Sequence, residues 1–149
     1  MRYSLRPATA ADKAWLDQLR RAAYADLFDA TWGGWDEDRH RRHFDGTWER
    51  GGIQTIEIDG RPIGMVQLTQ SDDRVEVIEI QIALDHQNNG IGTQLMRDVM
   101  DRASQQGRDV VLSTGLKNAG AIRLYERLGF EATERTDSKV WMRYSGGPR

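Results

Sequence analysis

The chain has 149 residues, no cysteine, 21 basic and 23 acidic residues, and a formal charge of −2. At ~100–200 residues per domain this is one domain, and charges so evenly balanced exclude an electrostatic case for nucleic acid, which draws a clearly basic domain. Without cysteine, disulfides, thiolate metal sites and a cysteine nucleophile are excluded. The opening residues, Met1 to Pro7, lack the apolar core of a signal peptide. No run approaches the ~18 apolar residues of a membrane span. A cytoplasmic protein with no membrane partner is therefore expected.

Residues 2–6 alternate weakly and predict a first strand, ended by Pro7. Thr9 is a helix N-cap with Asp12 in the first turn. Trp15, Leu16, Leu19, Ala22, Ala23 and Leu27 recur at helical spacing, which predicts an amphipathic helix over 10–27, stopped by Gly33-Gly34. Asp36 caps a second, highly charged helix over 36–45 that ends near Gly46. Ile53 to Ile58 and Ile63 to Thr69 are strands around Asp59-Gly60, a strong hairpin signal. Ser71-Asp72-Asp73 makes the next turn, and Val75 to Leu84 is the most strand-like stretch. Its apolar phase slips by one residue, from Val75 and Val77 to Ile78, Ile80 and Ile82. Two readings stand open: a β-bulge, or a strand buried on both faces.

Gly90 to Gln106 reads as a helix with Ile91, Leu95, Met96, Val99 and Ala103 on one face and Gly107 at its end. Asp109–Thr114 is a strand, Asn118–Leu128 a helix closed by Gly129, and Phe130–Thr136 and Lys139–Tyr144 a final pair of strands. This order, with no repeat and no linker, predicts a single α/β domain over 1–149 with a mixed sheet.

The segment Gln87-Asn88-Asn89-Gly90-Ile91-Gly92 joins a strand to a helix. The first N–H groups of a helix have no intrahelical acceptor, and the helix dipole adds about half a positive charge there. Glycines let the backbone approach a phosphate closely. A G-x-G alone is a weak signal. Position 95 is Leu95, so there is no G-x-G-x-x-G, and no Lys-Ser/Thr follows to make an NTPase loop.

The company of this loop is more specific. Gln87-x-x-Gly90-x-Gly92, preceded by Ile80-Gln81-Ile82, resembles the acetyl-CoA motif (Q/R-x-x-G-x-G/A) of the GNAT N-acetyltransferase superfamily. Asn118 to Phe130 resembles its second signature, N-x-x-A-x-x-L-Y-x-x-x-G-F, and Leu5-Arg6-Pro7-Ala8-Thr9 is similar to the usual family start. The resemblance implies a mixed, mostly antiparallel sheet of six to seven strands, splayed after the central strand, with about four helices on both faces. It also implies acetyl-CoA as co-substrate, lying in the split, with no metal. Backbone groups of Ile80, Gln81 and Ile82 would hold the pantetheine arm and acyl carbonyl. The loop from Gln87 would hold the pyrophosphate through the amides of Asn88, Asn89, Gly90, Ile91, Gly92 and Thr93. Asn118 would contact the pantetheine side and Tyr125 would sit near the acyl-donor sulfur. The chain departs from the family in one respect: Asn88-Asn89 stand where Arg or Lys is common, so the phosphates would rest on backbone amides. Lys117, Arg123 and Arg97 are candidates to restore that charge.

Acyl transfer from a thioester to an amine requires that the ammonium lose a proton, that the oxyanion be stabilised, and that the thiolate leave protonated. Tyr125 is the candidate acid, since a phenol of pKa ~10 matches a departing thiolate. A core tyrosine is the competing reading. Glu76 and Glu79 are the candidate bases. They lie three apart and so face opposite ways in a regular strand. Glu76 resembles a position where some family members carry a catalytic Glu or His, and a partly buried Glu79 would have a raised pKa. Ion pairing within the sheet, or a water relay, competes with both. Ser113 occupies the position of a third family base.

The acceptor pocket would be shaped by the first two helices, through Tyr24, Phe28, Trp32 and Trp35, with Asp36, Glu37, His40 and His43 nearby. Aromatics with acids suit a cationic amine. Packing tryptophans and a solvated charged face are the alternative, and His40 and His43 read as surface histidines rather than metal ligands. The expected activity is acetylation of a primary amine on a small molecule or peptide by direct attack in a ternary complex. The alternatives are a non-catalytic acyl-CoA sensor of the same fold, or a nucleotide-binding domain of another fold. The expected state is a monomer or homodimer.

Overall fold

The computed structural model describes residues 2–87 and 89–146; the side chains of 26–32 and 84 also lie outside the described residues. Among the described residues there are seven strands and four α-helices. In chain order they are β1 (Ser4–Pro7), α1 (Lys13–Trp32), α2 (Glu37–Arg50), β2 (Ile53–Ile58), β3 (Arg61–Gln70), β4 (Arg74–Ile82), α3 (Ile91–Gln105), β5 (Asp109–Gly115), α4 (Ala119–Leu128), β6 (Glu131–Arg135) and β7 (Lys139–Tyr144). Short 3-10 turns span Ala10–Asp12 and Leu84–His86. The strand order is β1-β2-β3-β4-β5-β7-β6. β1/β2, β2/β3, β5/β7 and β6/β7 run antiparallel and β4/β5 runs parallel, which makes the open mixed α/β sheet that the sequence predicts. No helix among the described residues is long and apolar enough to cross a membrane.

The chain forms two compact units, Met1–Gln67 with Glu79–Gly92, and Leu68–Ile78 with Thr93–Arg149. In the first unit, Leu16, Leu19, Phe44, Ile53 and Met65 form a buried cluster, flanked by Ala8, Trp15, Trp48 and Ala83. α1 and α2 bury one face each here, and each burial removes apolar area from water at about 25 cal/mol per Å². Asp36 caps α2 as predicted, its side chain accepting from Arg39 N. The helix does not end at Gly46. It continues to Arg50 because Phe44 and Thr47 are buried on the same face, and that packing outweighs one glycine's cost of about 1 kcal/mol. Gln67, fully buried on β3, donates to the carbonyls of Thr47 and Gly51 at 2.8 Å each and so fixes the end of α2.

The predicted hairpin is present. Asp59 and Gly60 have φ of 53° and 78°, the left-handed pair that a two-residue turn needs. The register then shifts: Glu57 pairs with Pro62 but Ile56 pairs with Gly64, leaving Ile63 as an extra residue in β3. The Ile63 carbonyl accepts from Ala83 N at 2.8 Å. Beside it Gly64 faces β4 at very short range. A methyl at Gly64 would lie 2.4 Å from the Gln81 carbonyl oxygen and 3.1 Å from Ile82 Cδ1.

In the second unit β5 pairs with β4 from Arg74↔Asp109 to Val77↔Leu112, and with β7 from Val110↔Tyr144 to Gly115↔Lys139. β4 continues past that last parallel pair to Ile82. Val75, Val77, Leu95, Met96, Val110, Leu112, Val140 and Met142 are buried. α4 starts at Asn118, whose Oδ1 accepts from Ala121 N at 3.2 Å. It ends at Gly129, after which Phe130 N donates to the Tyr125 carbonyl at 2.9 Å. Phe130 is buried, its ring centroid 5.7 Å from that of Tyr125 and 5.9 Å from that of Tyr144.

The close approach at Gly64 yields a test. Because the atom in the way is backbone, Gly64→Ala must displace β4 at Gln81. Overpacking of this kind costs about 1–3 kcal/mol. The variant should show a lower urea midpoint at unchanged m-value; a wild-type midpoint would show that the strands separate freely.

Candidate functional site

Burial alternates without a break along β4. Val75, Val77, Glu79 and Gln81 are buried, while Glu76, Ile78, Ile80 and Ile82 are half-buried on the other face. The slip in apolar phase is therefore a change of chemistry rather than of geometry. From Glu79 onward the buried face becomes polar, and the irregularity that the sequence suggested for β4 lies instead in β3 at Ile63. Glu76 and Glu79 do face opposite ways. Burying a carboxylate is costly unless it is paired, so the polar turn of this face must be matched by other residues of the first unit.

The match comes from α1. Leu16, Arg20 and Tyr24 recur at i, i+4 and i+8 along one face. Arg20 is completely buried, and its Nη2 donates to Glu79 Oε1 at 2.6 Å. Its Cζ lies 5.3 Å from the Tyr24 ring centroid and 5.6 Å from that of Phe44, so the flanks of the guanidinium rest against aromatic faces. Nη2 also bonds His43 Nδ1 of α2. A guanidinium only donates, so Nδ1 is the acceptor and carries no proton. Tyr24 stands edge-on to the His43 ring at 6.0 Å. Burial pushes the Glu79 carboxyl above its ordinary pKa; the Arg20 charge, its hydrogen bond and that of Tyr24 pull against that rise. Burial and the Glu79 charge raise the Tyr24 phenol. After all these contacts Glu79 Oε2 and Gln81 Oε1 remain buried with no hydrogen-bond partner. Arg20 Nε and Nη1 are likewise buried without a partner, so the cluster has both donors and acceptors to offer, the two acceptors spaced i and i+2 on one strand face.

The loop after β4 is held by its own side chain. Gln87 Nε2 donates to the Ile82 carbonyl at 2.9 Å, which folds the chain back before α3. Gly90 takes φ of 77°, and α3 begins at Ile91. The N–H groups of its first turn have no intrahelical acceptor. A Cβ on Gly92 would meet only Ile82 Cγ1, at 3.9 Å. The protein itself therefore leaves room for a side chain at Gly92, and a group that needs the bare backbone there would come from outside the chain. Asn88 lies outside the described residues; Asn89 is exposed.

The acceptor-side residues are already engaged with one another. Trp35 is 38% exposed, but its Nε1 donates to Glu37 Oε2 at 3.2 Å and Arg21 Cζ lies 5.8 Å from its ring centroid. Arg21 pairs with Glu37 and, at 2.9 Å, with Asp17. The Arg21 bond, then that of Trp35, lowers the Glu37 carboxyl to about 2. His40 is not a surface histidine. It is buried, bonds Asp17 Oδ1 at 2.6 Å and stacks at 6.2 Å on Phe44. Phe28 and Trp32 have side chains outside the described residues. A cleft of about 350 Å³ is lined by Lys13, Asp17, Arg21, Arg41, Phe44 and Asp45. In the second unit Tyr125 is half-buried on α4 and Asn118 is the N-cap of that helix, a structural duty that the motif alone does not reveal. Of the predicted residues, the first unit brings together Tyr24, Glu79 and Gln81. Sequence reasoning missed Arg20 and Gly64, and placed His43 near the acceptor pocket without its bond to Arg20; a charged residue on the apolar face of α1 was the available signal for the first.

The model of the acetyltransferase (GNAT) family matches residues 16–130. The uncharacterized N-acetyltransferase MJ1207 of Methanocaldococcus jannaschii is 29% identical over 80% of this chain and 59% of its own length. N-acetyltransferase 8 of Mus musculus is 28% identical over 89% of the chain and 57% of its own. The chain thus spans less than two thirds of these curated relatives. Among solved structures, PaiA N-acetyltransferase of Thermoplasma acidophilum, in complex with coenzyme A, superimposes with a TM-score of 0.74 at 14% identity, covering 97% of this chain and 99% of that one. An acetyltransferase of Thermus thermophilus gives 0.76 at 16% identity, covering 97% of each chain. With a family model matched across most of its length, the chain belongs to the acetyltransferase (GNAT) family.

Proposed function

We propose that the chain is a single-domain N-acetyltransferase that moves the acetyl group of acetyl-CoA onto a primary amine by direct attack in a ternary complex. The observation that carries this reading is the pairing of a buried carboxylate with one free oxygen, Glu79 Oε2, and a glycine-containing helix start that follows it on the same strand. Family membership supplies the ligand. The relatives' names support N-acetyl transfer, and a neighbour described in complex with a bisubstrate analogue of coenzyme A and a peptide, Naa50 of Arabidopsis thaliana, supports a small-molecule or peptide amine as acceptor.

In this reading, the amides from Asn89 to Thr93 hold the pyrophosphate, and Gln87 orders the loop for them. Backbone groups of Ile80, Gln81 and Ile82 hold the pantetheine arm. The acceptor nitrogen attacks the thioester carbonyl carbon. Its proton passes to Glu79 Oε2, and burial, by raising the Glu79 carboxyl above its ordinary pKa, makes it a stronger base than an exposed carboxylate. A C–N bond forms and the C–S bond breaks. The thiolate leaves with a proton from Tyr125, the family motif's tyrosine on α4. Glu76, on the half-buried face, is the lesser candidate.

Purified protein with acetyl-CoA should release free thiol when offered a panel of polyamines, aminoglycosides, amino acids and peptides. Acetyl-CoA binding without release across the whole panel would favour the sensor and overturn the enzyme. Gly92→Asp should abolish coenzyme A binding in calorimetry while leaving the thermal midpoint near wild type, because a side chain fits there but a carboxylate faces the phosphates. Unchanged affinity would contradict the loop assignment. Tyr125→Phe should lower kcat by roughly 10²–10⁴ with little change in acetyl-CoA affinity, if the phenol is the acid; a wild-type rate assigns Tyr125 to packing against Phe130.

A further inference from the structure

The cluster on the buried face of β4 holds more than a base. A free carboxylate in this position would be protonated by burial and would rotate. Arg20 prevents both. Its Nη2 ties down Glu79 Oε1 at 2.6 Å and leaves Oε2 as the unengaged oxygen. Arg20 is in turn fixed on three sides: by the Tyr24 ring at 5.3 Å, by the Phe44 ring at 5.6 Å, and by the bond to His43 Nδ1. The side chain has no solvent exposure and is held from both α1 and α2.

We propose that Arg20 is a positioning residue of the acetyl-transfer reaction, which keeps Glu79 ionised and aims its free oxygen at the acceptor nitrogen. This rests on the reading of Glu79 as the base. Arg20 touches no substrate in this role; it acts through Glu79. The groups facing Glu79 are Arg20 and Tyr24 from α1 and Gln81 from β4, with His43 of α2 behind Arg20. Among the described residues, Arg20 is the cation paired with the carboxylate, and an opposite charge within ~4–6 Å favours ionisation by about 1–3 pH units. The sign follows directly. Removing the cation takes away the largest opposition to burial, so the Glu79 carboxyl must then titrate at higher pH. Because the base has to be deprotonated, the acid limb of kcat/KM must move to higher pH by the same amount.

The test is carbon NMR of carboxyl-labelled glutamate, with Glu79 assigned by its loss in Glu79→Gln, followed from acid to neutral pH in wild type and Arg20→Met. The expected result is a midpoint about one pH unit or more higher in Arg20→Met, with Arg20→Lys in between. Equal midpoints in wild type and Arg20→Met would overturn the proposal. Should Arg20→Met fail to fold, the wild-type protein still decides. The guanidinium nitrogen resonances of Arg20 should shift at the pH where Glu79 titrates, and resonances that ignore that titration would equally overturn it. Turnover of Glu79→Gln checks the underlying reading separately. A wild-type rate there removes Glu79 as the base, whereas the NMR titration reads the hold of Arg20 on Glu79 whatever the rate.

Discussion

A carboxylate cannot stay ionised inside a protein without a partner, and the first unit is arranged around that constraint. Glu79 is buried because β4 keeps its alternation while its buried face turns polar. The cost of burying that charge is several kcal/mol before any pairing. Arg20 offsets it, and Arg20 must itself be buried, so it needs aromatic faces and an acceptor, which Tyr24, Phe44 and His43 provide. Such a pair is poor evidence for stability, since apolar residues of similar volume often serve as well. Its place on the strand that leads into the α3 loop is what the proposed chemistry requires. The positions of α1 and α2 in this unit follow from the same requirement, because each contributes a side chain that holds the ion pair.

The backbone of β4 is constrained as firmly as its side chains. Ile63 is extra in β3, its carbonyl takes the Ala83 amide, and Gly64 sits where no Cβ fits against the Gln81 carbonyl. The strand end that family resemblance assigns to the pantetheine arm is thus located by contacts that have nothing to do with a ligand. Gln87 extends that control into the loop by bonding the Ile82 carbonyl. A loop that lacks basic side chains in the first positions has to present its amides in a fixed array, since amides act only when aimed.

The fold is legible from periodicity and punctuation. Asp59-Gly60, Asp36 and Gly129 each signal a local backbone geometry, and each has it in the structure. The end of α2 is not legible, because Gly46 is a local signal and burial of Thr47 is a tertiary fact. The slip on β4 is visible in the sequence, but its meaning is not. Ile78, Ile80 and Ile82 look like a new apolar face, and only the three-dimensional burial shows that Glu79 and Gln81 occupy the inner one. His40 reads as a surface residue on a charged helix until Asp17 is seen to meet it across 23 positions of sequence. Arg20 and Gly64 escape because each acts through a partner distant in sequence, as does the bond of His43 to Arg20. The loop is readable because its motif is contiguous.

Amide NMR of the protein titrated with coenzyme A tests most directly whether that loop is the phosphate cradle. Saturable binding should shift the amides of Asn89, Gly90, Ile91, Gly92 and Thr93 more than those of any other helix start. Binding that leaves these five amides unmoved would contradict it.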